Sequence, residues 1–62
     1  MHKDIREALE VYRSLAEENP DAYLPDVAMT CNNLAALLYN QHRLEKAERL
    51  YREALEIYRS RF

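Results

Sequence analysis

The sequence predicts an all-α fold of three helices, and three observations carry that prediction. The chain has no Gly and only two Pro, and Leu, Ala, Glu and Arg dominate it; all four are strong helix formers. Its apolar residues recur at helical spacing in three segments. A nine-residue helical motif also occurs twice.

The first helix is expected over about 3–18. Ile5, Ala8, Leu9, Tyr12, Leu15 and Ala16 lie at i, i+3, i+4, i+7, i+10 and i+11, a single stripe on a helix. Lys3/Glu7, Arg6/Glu10 and Arg13/Glu17 are i,i+4 pairs on its wet side, each worth about 0.2–0.5 kcal/mol. Asn19-Pro20-Asp21 and Leu24-Pro25-Asp26 then cut the chain. A residue before Pro is biased away from the helical region, so the helix should end near Glu18 or Asn19. Residues 19–25 read as a linker, with a short turn at 21–24 that tucks Tyr23 and Leu24 against the helices.

Asp26 suits an N-cap or first-turn carboxylate, so a second helix is expected over about 26–41. Val27, Ala28, Cys31, Leu34, Ala35 and Leu38 form its apolar stripe. Met29, Asn32, Asn33, Ala36 and Asn40 form a second, mixed face. This segment is the most apolar of the three and should be the most buried. The break at Asn40-Gln41-His42-Arg43 contains neither Gly nor Pro. Either Asn40 or His42 accepts a left-handed conformation there, or the break is lost and two helices run on as one.

The third helix is expected over about 44–60. Leu44, Ala47, Tyr51, Ala54 and Tyr58 form one stripe, and Leu50 and Ile57 mark a second line. A helix apolar on two lines needs neighbours on two sides. Glu45/Arg49, Glu48/Arg52, Arg49/Glu53 and Arg52/Glu56 are again i,i+4 pairs.

Size and charge exclude several functions. With 62 residues and 7.4 kDa there is one small domain, which buries only ~60% of the surface of its unfolded chain. Cys31 is the only cysteine, so no internal disulfide can brace it. One Cys and two His do not make a metal cage, and no cofactor motif is present. Formal net charge is −2, which makes no electrostatic case for nucleic acid or an anionic membrane. No apolar run approaches ~20 residues, so no membrane span is expected. The N-terminus lacks the apolar core of a signal peptide, which leaves a cytoplasmic expectation.

The repeat is the most informative feature. Arg6-Glu7-Ala8-Leu9-Glu10-Val11-Tyr12-Arg13-Ser14 returns as Arg52-Glu53-Ala54-Leu55-Glu56-Ile57-Tyr58-Arg59-Ser60, 46 residues later, with one conservative change. The first and third helices are therefore equivalent, and the second packs between them.

Leu34-Ala35, Leu44, Ala47, Tyr51 and Ala54-Leu55 resemble the spacing of a tetratricopeptide repeat. That repeat is two antiparallel helices, here about 28–61. Asn32-Asn33-Leu34-Ala35 and the Pro-containing linker are similar, more narrowly, to the longer-linker subfamily of kinesin light chains and bacterial tandem arrays. The resemblance implies a helix-turn-helix repeat over 26–61, preceded by the second helix of an earlier repeat over 3–18. Small residues (Ala35, Ala47, Ala54) would let the helix backbones approach, with Leu34, Leu38, Tyr51 and Leu55 filling the gaps. Cys31 stands where the family has a large aromatic, and His42 stands where it has the turn Gly.

The resemblance also implies a non-enzymatic protein–protein interaction module. Its partner-binding face would be Met29, Asn32, Asn33, Ala36 and Asn40, with the Asn33 amide able to donate to and accept from an extended peptide. The bland reading, polar residues on a solvated face, is favoured for so short a chain. The basic carboxylate-clamp residues of chaperone-binding repeats are absent from this face. A second reading is structural: a repeat hairpin cannot bury its apolar faces alone, so Ile5, Leu9, Leu50, Ile57 and Phe62 are expected to drive homo-oligomerisation. A two-fold dimer, packed or helix-swapped about residues 40–43, ranks ahead of a head-to-tail stack. The start inside a repeat suggests an excised piece. Cys31 reads as a small core hydrophobe, and the basic residues of the third helix read as scattered around it with Glu interleaved.

Overall fold

The computed structural model describes residues 4–61. Among them are three helices, α1 (Ile5–Glu18), α2 (Pro20–Asn40) and α3 (Leu44–Arg61), and no strand. Links of one and three residues force successive helices to reverse direction. α2 lies in the middle and packs on both neighbours, whereas no Cα of α1 lies within 8 Å of a Cα of α3 among the described residues. The Cα envelope is 33 × 32 × 12 Å, a single layer of helices.

Capping explains the ends. Asp4 accepts from the Arg6 amide at 3.0 Å and starts α1. Asn19 serves two helices: its N–H donates to the Leu15 carbonyl at 2.9 Å, closing α1, and its Oδ1 accepts from the Ala22 amide at 3.4 Å, opening α2.

The start of α2 corrects the sequence reading. The segment expected to turn at 21–24 is helical from Pro20 onward, six residues earlier than expected. Pro20 sits in the first turn, where its missing N–H would have had no partner. Pro25 is the harder case, because it removes the donor for the Asp21 carbonyl one turn back. Arg61 supplies a substitute. Its Nη2 donates to the Asp21 carbonyl at 3.4 Å, and its Nη1 donates to Asp21 Oδ1 at 3.2 Å. A contact from the end of α3 thus replaces the bond that local sequence forbids.

The turn between α2 and α3 is formed. His42 has φ 63°, the one positive φ among the described residues. The Arg43 amide donates to the Leu38 carbonyl at 2.9 Å, and the His42 amide to the Tyr39 carbonyl at 3.0 Å. This pair of bonds is a Schellman closure with His in the position usually held by Gly.

The core joins Leu9 and Ala16 of α1, Val27, Ala28, Cys31, Leu34, Ala35 and Leu38 of α2, and Ala47 and Ala54 of α3. Seven residues of α2 are buried against two in each neighbour, so α2 is the most buried helix, as its composition predicts. Buried Ala28, Ala35, Ala47 and Ala54 let α2 and α3 approach closely. Thr30 is also buried, and its hydroxyl donates to the Asp26 carbonyl at 2.7 Å. No helix among the described residues is long and apolar enough to cross a membrane.

Candidate functional site

Two surfaces of α2 matter, and they face opposite ways. The buried stripe turns toward α1 and α3. On the other side Met29, Asn33, Ala36 and Asn40, spaced i, i+4, i+7 and i+11, are exposed, with Asn32 partly buried beside them. The structure therefore brings the five residues of the expected partner face together on one side of one helix. Met29 keeps half of its surface in water. Among the described residues the side-chain amides of Asn33 and Asn40 make no hydrogen bond within the chain.

On the opposite side, α1 and α3 flank an open groove of about 440 Å³, floored by Leu34 and Leu38 of α2. Arg6, Glu10 and Arg13 form one wall, and Arg43, Lys46, Arg49 and Glu53 the other. Sequence reading placed the α3 cations as scattered. Arg43, in the turn before α3, and Lys46 and Arg49 of α3 lie at i, i+3 and i+6 and share a side, and tertiary packing sets two cations of α1 opposite. Periodicity within one helix carries no signal for such a meeting.

One bridge spans the groove. Arg13 donates from Nε to Glu53 Oε2 at 3.2 Å and from Nη2 to Glu53 Oε1, a bidentate pair between α1 and α3. The expected Arg13/Glu17 pair is absent among the described ion pairs; of the i,i+4 pairs anticipated, Arg52–Glu48 forms, at 3.4 Å. Burial works against the Arg13 charge, but the hydrogen bond and charge of Glu53 outweigh it and raise its pKa.

Cys31 is fully buried in the core. Desolvation, reinforced by the Glu53 carboxylate and partly opposed by Arg13, pushes its thiol up to about 11. A thiol held protonated and out of solvent is a packing residue, not a nucleophile.

The residues expected to drive self-association sit differently from one another. Leu9 is only 4% exposed, packed into the core against α2, and Ile5, Leu50 and Ile57 are partly buried against the same core. Phe62 lies outside the described residues. Of the large apolar side chains that remain bare among the described residues, four cluster elsewhere: Tyr39, Leu44, Tyr51 and Leu55 lie together on the α2–α3 hairpin.

No curated protein and no solved structure matches this chain. A tetratricopeptide repeat family profile matches residues 27–62, the span of α2 from Val27 onward and α3. That match takes in more than half of the sequence, and it agrees with the all-helical hairpin and the 46-residue internal repeat. The chain belongs to the tetratricopeptide repeat family.

Proposed function

We propose that this chain is a non-enzymatic protein–protein interaction module that presents the exposed face of α2 to a peptide. The observation that carries this reading is the alignment of Met29, Asn33, Ala36 and Asn40 on one solvent-facing side of a helix whose other side is buried. An exposed methionine supplies adaptable apolar contact. The asparagine amides supply a donor and an acceptor each, the pairing an extended backbone needs. The buried lone cysteine suits a reducing compartment, and a cytoplasmic setting is part of the proposal. The test is selection of peptides from a random library on the intact chain. Asn33→Ala should abolish binding of the selected peptides with the helical spectrum unchanged. Peptides that bind Asn33→Ala and the parent equally would refute the assignment.

A second reading, homo-oligomerisation, has its own observation. Leu9 and Leu55 occupy the same place in the repeated motif, yet Leu9 is 4% exposed and Leu55 52%. Their neighbours follow suit: Ile5 and Tyr12 are partly buried, while their counterparts Tyr51 and Tyr58 are exposed. The face that α1 spends on α2 is thus left unspent on α3. A second copy that laid its own α2 there would satisfy it. Mass by light scattering over a hundredfold range of concentration tests this. A dimer or larger species in the parent, lost in Leu55→Glu, supports the reading; a monomer throughout refutes it.

A further inference from the structure

We infer that the groove between α1 and α3 is a docking site for an acidic peptide segment, distinct from the α2 face proposed above. The argument begins with charge. Among the described residues, five Lys and Arg line this groove, against two of the chain's eleven Asp and Glu. The chain as a whole carries −2, so the cations are concentrated here against the overall balance. One of the five, Arg13, is neutralised by its bridge to Glu53, which also spends one of the two carboxylates. Arg6, Arg43, Lys46 and Arg49 remain without an ion pair among the described residues, facing Glu10 alone. Like charges gathered on two walls repel each other, and an anionic occupant relieves that repulsion on binding.

Shape and lining favour a peptide over a polynucleotide. The groove is open to solvent because the backbones of α1 and α3 stay apart, and among the described residues the Arg13–Glu53 bridge is the ion pair that crosses it. Its size falls within the ~300–1,000 Å³ of ligand sites. Its floor is leucine, and among the described residues no aromatic side chain lines it. Single-stranded nucleic acid is held by stacking on aromatic rings as well as by charge, and this groove has nothing to stack on. The floor leucines Leu34 and Leu38 are nearly covered already, while Leu50 on the α3 wall is partly open. An occupant therefore gains more from the cations than from apolar burial, and its binding should fall with salt.

The experiment measures fluorescence anisotropy of a labelled glutamate-and-leucine peptide on the intact chain, beside a counterpart with Gln for every Glu. The expected result is saturable binding of the acidic peptide, weakened as salt rises and weaker for the Gln peptide. Two variants, Lys46→Gln/Arg49→Gln and Arg6→Gln/Arg43→Gln, remove cations from different places. Each should bind about tenfold more weakly, the sum of two exposed ion contacts. Circular dichroism checks that each variant folds, and either one alone suffices. Asn33→Ala should bind the acidic peptide as the parent does, which separates this site from the α2 face. Three results would overturn the inference: no binding, equal binding of the two peptides, or binding unmoved by both double variants. Tighter binding of a single-stranded oligonucleotide than of the peptide would reassign the groove to nucleic acid. Self-association abolished by the same variants, without peptide binding, would reassign it to a second copy.

Discussion

His42→Gly should stabilise this protein, and the geometry sets how much. His42 closes α2 at φ 63°, in the left-handed region. That conformation costs a residue with a Cβ about 1–2 kcal/mol. Gly escapes the clash but gives up about 0.5–1 kcal/mol of extra chain entropy on folding. The net gain is about 0.5–1 kcal/mol, since the two Schellman bonds are made by backbone groups and survive the change. At ~0.05–0.15 kcal/mol per residue, a chain of 62 residues has total stability of about 3–9 kcal/mol, so the gain is measurable. For a domain of this size it corresponds to a rise in Tm of about 4–8 °C. Thermal and urea melts followed by circular dichroism read it. His42→Ala is the control: Ala also has a Cβ, so it should stay within about 0.5 kcal/mol of the parent. A Gly variant no more stable than the Ala variant would mean that residue 42 is not left-handed in solution. The helix would then run on through the turn, as a swapped dimer requires.

Other expectations follow from single contacts. Arg61→Ala should destabilise by about 1 kcal/mol, because it exposes the Asp21 carbonyl that Pro25 leaves without a donor. In a Pro25→Ala background the same change should cost markedly less, and chemical melts of the four proteins give the coupling directly. Leu9→Ala should cost about 2–5 kcal/mol and unfold much of the population, whereas its repeat counterpart Leu55→Ala should cost under about 0.5 kcal/mol at low concentration, where chains are monomeric. The thiol of Cys31 should resist aromatic disulfide reagents until the protein unfolds. Its pKa is raised from 9.0 to about 11 by folding, so the native state holds a proton that the unfolded state releases. The stabilisation is complete below pH ~9 and is lost as pH rises toward ~11, by at most about 3 kcal/mol. Cys31→Ala should lack that part of the alkaline slope, and a Cys31→Ala slope equal to the parent's would refute the assignment.

The all-helical class, the three amphipathic stripes, the motif shared by α1 and α3, and the left-handed alternative at His42 were all readable in the sequence. Each is set by neighbours a few residues apart, where periodicity and residue chemistry report directly on the backbone. The Asn33 face belongs with them, because a helix stripe is a local property. What tertiary structure alone decided involves partners distant along the chain. The stretch from Pro20 to Pro25 reads as a broken linker until Arg61, from the end of α3, supplies the missing donor. Arg13 reads as a partner for Glu17 until packing sets Glu53 across the groove from it. The gathering of Arg6 with Arg43, Lys46 and Arg49 depends on the lateral placement of two helices whose backbones stay apart. Helical periodicity encodes which side of a helix faces inward. It does not encode what stands opposite, and that is set by how closely the small residues Ala28, Ala35, Ala47 and Ala54 let the helices approach.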